Sequence, residues 1–228
     1  MSPAYADDSV ALLVFSRTVG FRHDSIPAGI AAIRALGAQN RLEVDATEAA
    51  ETFSDAGLAK YRVVVFLNTT GAVLAADQHA ALERFVRRGG GFVGIHSAAD
   101  TEYDWPWYGK LVGAYFRSHP AIQPATLRIV EPSHESTRHL SQQWTRTDEW
   151  YNFRAPPGAE VSVLMRIDEH TYSGGTMGDN HPITWCHAYD GGRAWYTALG
   201  HTIESYSEPL FLRHLWGGIA WTARIAAE

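Results

Sequence analysis

Gly91-Phe92-Val93-Gly94-Ile95, followed by His96-Ser97-Ala98-Ala99-Asp100, is the stretch whose reading decides the fold. The first five residues read as a short buried strand, and the small and polar residues after them suit a tight turn. In open α/β sheets ligands bind beyond the carboxyl ends of the strands, so a reactive side chain at position 96 would face a crevice. That side chain is an imidazole. It can accept or donate a proton near neutral pH, or ligate a metal, but it makes a poor stable acyl carrier.

On the N-terminal side, residues 10–16 read as a first buried strand that runs into a loop in which Gly20 permits a tight bend. Asp24 or Ser25 can cap the next helix, with Pro27 in its first turn. Ile26, Ile30, Ile33 and Leu36 recur at helical spacing, and Gly37 marks the end. Strands follow at 42–46 and, β-branched and continuous, at 61–67; a helix at 75–88 leads into the triple glycine 89–91. Strands alternating with helices predict a flavodoxin-like, doubly wound, mostly parallel sheet with helices on both faces.

After Trp105 the pattern changes. Residues 126–131, 161–167, 183–189 and 193–199 read as strands separated by turns, an added antiparallel β region in the C-terminal half. Asp190-Gly191-Gly192 reads as a hairpin loop. A last helix, about 208–225, carries Leu212, Leu215, Trp216 and Ile219 on one face. No composition break, repeat or linker divides the chain, so 1–228 is read as a single domain.

Lys plus Arg number 19 against 25 Asp plus Glu, a formal charge of −6, which argues against nucleic-acid binding. One cysteine, Cys186, excludes an intrachain disulfide and fits a reducing compartment. Residues 1–8 lack the basic start and apolar stretch of a signal peptide, and no apolar run is long enough to span a membrane. The expectation is a cytoplasmic protein without membrane or nucleic-acid partners. The stretch Trp216-Gly217-Gly218-Ile219-Ala220-Trp221 is either core or a subunit contact, which leaves a homo-oligomer open. Eight Trp and eleven His are the unusual counts. Tryptophan offers a flat face and one donor to amphipathic ligands such as sugars, although any single Trp more often belongs to the core.

Histidines mark the predicted strand ends. His23, beside Arg22, follows the first strand and His96 the fourth, which a flavodoxin-like order brings near one another. For His23 the plainer alternative is a helix-start residue bonded to backbone. His119-Pro120 and His181-Pro182 fix their histidines through the extended bias that proline imposes on its predecessor. His119 follows the aromatic stretch containing Trp105 and Trp107. Alternation along 182–187 puts Trp185 and His187 on one face and Cys186 on the other, so no thiol–imidazole dyad forms there. Asp148-Glu149-Trp150-Tyr151 brings carboxylates and a phenol onto one irregular segment, suited to binding hydroxyls and moving protons, or to a solvated turn. Tyr196 and His201 close the set at the last strand. No His-Glu-x-x-His helix or paired-cysteine spacing announces zinc, yet His96, His119 and His201 with carboxylates could gather into an open divalent-metal site. A Ser-His-Asp triad lacks its Gly-x-Ser-x-Gly elbow.

In order, Gly20-Phe21-Arg22-His23-Asp24-Ser25-Ile26, Gly94-Ile95-His96-Ser97-Ala98, His119-Pro120, Asp148-Glu149-Trp150-Tyr151, His181-Pro182-Ile183-Thr184-Trp185 and Tyr196-Thr197-Ala198-Leu199-Gly200-His201 resemble the trehalose-utilisation, ThuA-like family over nearly the whole chain. The resemblance implies a class I glutamine amidotransferase-like α/β fold, with His96 at the place of the nucleophilic cysteine and hence no amidotransferase activity. It also implies use of trehalose or related disaccharides through sugars oxidised at the 3-position.

On that basis His96 is a candidate base or metal ligand, and His23 and His201 would polarise the keto oxygen. Glu149 or Asp148 would handle a hydroxyl proton, and Tyr151 with Trp105 or Trp107 would position the ring. Arg22, His119, His181, Trp185, His187 and Tyr196 complete the candidate substrate contacts. The rival readings are a non-catalytic sugar-binding or sensing protein and a generic metallohydrolase.

Overall fold

The computed structural model describes residues 10–226; the leader reading of residues 1–8 therefore lies outside the described residues. The N-terminal half alternates strand and helix as predicted, with a short added helix between the second and third strands. Its elements are β1 (Ala11–Phe15), α1 (Ile26–Gln39), β2 (Glu43–Thr47), α2 (Asp55–Leu58), β3 (Tyr61–Leu67), α3 (Ala76–Arg87) and β4 (Gly91–Ile95). A 3-10 turn over His96–Asp100 leads to α4 (Pro106–Val112), which the sequence reading passed over. Then come β5 (Phe116–Ser118), β6 (Gln123–Ile129), β7 (Gln143–Asp148), β8 (Asn152–Phe153), β9 (Ser162–Ile167), β10 (Pro182–Tyr189), β11 (Gly192–Thr197) and α5 (Pro209–Ala223).

Nine strands form one sheet in the order β2-β1-β3-β4-β11-β10-β9-β6-β7, and β5 pairs with β8 apart from it. The first five in that order run parallel. The other four extend the sheet by antiparallel pairing. Residues 193–199, expected within the antiparallel region, instead supply the fifth parallel strand: Arg193 to Thr197 lie in register with Gly91 to Ile95. The antiparallel insertion thus lies between β4 and β11 in sequence, and the chain returns from it to complete the flavodoxin-like order.

Helices cover both faces. Gly29 of α1 lies against Leu67, and Gly91 against Thr222 of α5, so both helices share one face. Tyr108 of α4 packs on Phe66 and Phe92, and Val86 of α3 lies against Gly192, on the other. Buried from both sides, β1, β3 and β4 are continuous apolar runs rather than alternating ones. Ser25 precedes α1 without a side-chain cap; its hydroxyl instead points to the Gly200 carbonyl, 3.4 Å away, and accepts from Asn68 Nδ2 at 3.0 Å. Those bonds tie the ends of β1, β3 and β11 together under the crevice. The stretch 216–221 is mostly core: Trp216, Ile219 and Ala220 are buried.

Candidate functional site

The carboxyl ends of three parallel strands each deliver one imidazole. His23 follows β1, His96 follows β4 and His201 follows β11. Their rings stand nearly perpendicular to one another, with centroids 4.9 Å apart for His23–His96 and His23–His201 and 5.0 Å for His96–His201. His96 adopts φ 49°, a left-handed conformation that costs a non-glycine residue of order 1–3 kcal/mol and persists only where surroundings hold it. Two contacts do so. Tyr196 Oη donates to the His96 carbonyl at 2.8 Å, and His96 Nδ1 donates to the Ala198 carbonyl at 2.8 Å. The second bond directs Nε2 toward His201 Nδ1 and Glu149 Oε2.

The carboxylate comes from the antiparallel half, which curls until the end of β7 reaches the loop after β11. Asp148 makes that junction. Fully buried, its Oδ2 accepts from Gly200 N (2.9 Å) and Arg146 Nη1 (2.7 Å). Its Oδ1 accepts from Glu149 N (3.0 Å) and His201 N (3.1 Å). With its oxygens engaged by these donors, Asp148 lies in the scaffold behind the pocket and is not among the residues lining it. Glu149 instead enters the cluster. Its Oε2 lies 3.3 Å from His96 Nε2 and 3.2 Å from His201 Nδ1, and its Oε1 lies 2.9 Å from His119 Nδ1.

The electrostatics follow from this packing. Burial, reinforced by the His96 and His201 imidazoles, pushes His23 down to about 2, so it stays neutral. Burial alone would raise the Glu149 carboxyl, but hydrogen bonds from His201 and His96 outweigh it and hold the group below the usual carboxylate range. For His201 burial lowers the pKa, and the bond to Glu149 more than reverses that, raising it.

Above the cluster lies a pocket of about 280 Å³ lined by Phe21, His23, Asp100, Phe116, His119, Glu149, Tyr151 and His201. That is near the lower end of the ~300–1,000 Å³ of small-molecule sites, room for about one sugar ring. Tyr151 forms an aromatic wall, its ring centroid 4.1 Å from His96 and 4.3 Å from Phe116. Asp100 is half-buried at the rim, and burial raises its pKa although Tyr103 Oη donates to it at 2.6 Å.

Five of the residues singled out from sequence therefore meet: His23, His96, His201, Glu149 and His119, with Tyr151 beside them. Others do not reach the pocket. Arg22 points outward to Glu48, 2.6 Å away. Trp105 stacks on His79 at 3.8 Å, and Trp107 donates to Asp190 at 2.8 Å. Trp185 is fully buried, donating to the Val112 carbonyl at 2.8 Å, and His187 Nε2 donates to Lys110 O at 2.9 Å. These five are core or surface packing. His181 and Tyr196 act from behind, His181 Nε2 donating to the Tyr151 carbonyl at 2.8 Å and Tyr196 holding His96. Sequence reasoning missed Phe21, Asp100 and Phe116 as pocket residues. Phe21 and Asp100 lie inside stretches that had drawn attention for their histidines, whereas Phe116, on a three-residue strand, carried no signal.

Among the described residues no helix is long and apolar enough to cross a membrane. No curated protein matches the chain. Among solved structures, a ThuA-like protein from Bacteroides uniformis ATCC 8492 is similar at 21% identity and TM-score 0.80, with 97% of this chain and 95% of that one covered. A ThuA-like protein from Parabacteroides merdae ATCC 43184 is similar at 17% identity and TM-score 0.78, with 95% and 90% covered. A cytoplasmic protein from Salmonella typhimurium shares the fold at 11% identity and TM-score 0.62, with 92% and 98% covered. The family model for trehalose utilisation, ThuA, matches residues 11–222, nearly the whole of the described chain, and the protein belongs to that family.

Proposed function

We propose that this protein is a carbohydrate-active enzyme that removes a proton beside a ring ketone in an oxidised glycoside, of the 3-keto disaccharide type. The observation that carries the reading is the convergence of His23, His96, His201 and Glu149 at the floor of one aromatic-walled pocket, with His119 bonded to the outer oxygen of Glu149. Binding a neutral sugar needs few ionisable groups. A base, an oxyanion stabiliser and a second acid are what enolisation needs.

The ring packs against Phe21 and Phe116, which line the pocket and are not fully buried, with its ketone oxygen directed at the imidazole cluster. His119, 43% exposed and paired with Glu149, takes the C–H proton next to the ketone. The C–H electron pair forms the enolate double bond, and the negative charge on oxygen is stabilised by the cluster. For isomerisation, Glu149 passes the proton of the adjacent hydroxyl to the enolate oxygen, and the proton on His119 returns to the former carbonyl carbon, so that the ketone moves to the adjacent position. Alternatively, the electron pair expels the glycosidic oxygen, which leaves with the proton that His119 took from carbon. Thiol chemistry has no support in this pocket: the one cysteine, Cys186, lies in β10, its thiol pushed up to about 12 by burial.

The test is 3-keto-trehalose incubated with the protein in D2O and followed by proton NMR. Deuterium entering beside the ketone, or release of glucose, is expected. His119→Ala should slow it by about 10²–10⁴-fold, the usual contribution of one acid–base group. Saturable binding without exchange or cleavage would refute the enzyme reading and make this a sugar-binding protein.

A further inference from the structure

We propose that His96, His201 and Glu149, with His23 closing the fourth side, bind one first-row divalent cation of the Zn²⁺ or Co²⁺ class. Binding itself is independent of the sugar assignment; a role for the ion in polarising a ketone rests on that reading.

Geometry carries the argument. His96 Nε2 is 3.1 Å from His201 Nδ1 and 3.3 Å from Glu149 Oε2, and the last two are 3.2 Å apart, a nearly equilateral triangle of ligand-type atoms. An ion about 2.1 Å from each corner would sit roughly 1 Å out of that plane, with donor–ion–donor angles of about 100°. That lies between the ~90° of octahedral and the ~109° of tetrahedral coordination, and two histidines with one carboxylate are a facial set used by such metals. The candidate ligand atom of His23 belongs to the same group of four, all within 4.8 Å of one another.

The surroundings are those of a metal centre. A metal-bound histidine ordinarily donates its remote N–H to a carbonyl or carboxylate, and His96 Nδ1 does so to Ala198 at 2.8 Å. With Nδ1 committed to that carbonyl, Nε2 offers its lone pair once a cation displaces the proton it shares with Glu149 and His201. Behind the other two ligands, Asp148 Oδ1 accepts from the backbone N–H of both His201 and Glu149, fixing them relative to each other. The His96 side chain is wholly buried and that of Glu149 is 8% exposed, so solvent does little to separate their lone pairs. Atoms with lone pairs this close repel unless a proton or a cation lies among them, and a cation satisfies all three at once.

The test uses full-length protein with any affinity tag removed, stripped by a chelator and dialysed. Zn²⁺ and Co²⁺ are titrated separately by calorimetry, and the loaded protein is checked by elemental analysis. One ion per chain at micromolar affinity or tighter is expected. His201→Ala and Glu149→Gln should each weaken binding by more than about 100-fold, the upper end for loss of an outer-shell partner. Circular dichroism checks that both variants fold. His170→Ala, at the exposed His170–Asp179 pair, should leave affinity unchanged. Absence of saturable binding in the wild-type protein, or wild-type affinity in both cluster variants, overturns the site. Stoichiometric binding with no action on 3-keto-trehalose would support the site and refute the sugar reading. Full turnover by ion-free protein would refute a role for the ion in the reaction and leave the sugar reading standing.

Discussion

Asp148→Asn is the substitution that best separates positioning from chemistry. The carboxylate is fully buried and faces donors on every side: Gly200 N, Arg146 Nη1 and, at 3.4 Å, Ser205 Oγ on one oxygen, with Glu149 N and His201 N on the other. Asparagine preserves the shape, yet either orientation of its amide sets an NH₂ against N–H groups. Arg146, itself buried, loses its carboxylate partner at 148 and keeps Glu208, 3.0 Å away, Ser205 and the rings of Trp144 and Phe211. Removing one member of a buried ion pair costs about 3–5 kcal/mol, and the surviving Glu208 contact favours the lower figure. At about 2–4 °C per kcal/mol for a chain this size, the midpoint of thermal unfolding should fall by roughly 6–12 °C. Because the same oxygens aim His201 and Glu149, turnover should fall as well, by up to about 10²-fold for a displacement near 1 Å. Thermal melts by circular dichroism and the D2O exchange assay, both below the lowered midpoint, measure the two effects. A variant that melts within about 2 °C of wild type and turns over normally would refute the claim that Asp148 organises the site.

Stability should also weaken in mild acid. His214, pushed down to about 3 by burial, is neutral in the folded state, and burial lowers His134 and His187 in the same direction. Unfolded, each returns to about 6.5 and binds a proton below that pH, so their contribution is fully present above ~6.5 and lost as pH falls, at up to about 1.4 kcal/mol per pH unit per histidine. Urea midpoints that stay level between about pH 7 and pH 5 would contradict this. Gly200→Ala should cost of order 1–3 kcal/mol and misplace His201, because φ there is +102° and a Cβ would lie 2.8 Å from Tyr206 Oη; unchanged urea stability would count against it. Tyr196→Phe leaves the His96 carbonyl without its 2.8 Å donor and should cost about 1–3 kcal/mol, readable in the same urea titration.

The parallel half was legible because its signals are local. β3 and β4 match their expected bounds, since strands buried on both faces must be apolar throughout. The imidazoles of His23, His96 and His201 were found for the same reason: each lies in the turn or loop that follows a parallel strand. The antiparallel half was harder to read. β7, Gln143–Asp148, alternates buried and exposed residues through Gln, Thr and Arg and presents no apolar run, so its existence escaped notice. With it went the difference between Asp148 and Glu149. Adjacent carboxylates look alike in sequence, and only the curl that brings Gly200 and His201 onto Asp148 assigns one to the scaffold and the other to the pocket. The tryptophans misled through their own chemistry. An indole needs one partner for its N–H, and Trp185 finds it in a core carbonyl and Trp107 in Asp190 rather than in a ligand.

The two halves of the sheet thereby divide the work. The parallel half sets three imidazoles on rigid strand ends, where Tyr196 and Ala198 hold His96 in an otherwise unfavourable backbone conformation. The antiparallel insertion supplies Glu149 and, with the segment before it, the wall of Tyr151, Phe116 and His119. Reactive groups on strand ends are held more closely than groups on loops, and a site shared between them can change one half while the other stays fixed. Substitutions at Phe116 or Tyr151 should therefore alter which ring is accepted and move KM, whereas substitutions at His96 or His201 should abolish the reaction for every ring tested. A Phe116→Ala protein whose kcat collapsed equally on all substrates, with KM unchanged, would show that the division does not hold.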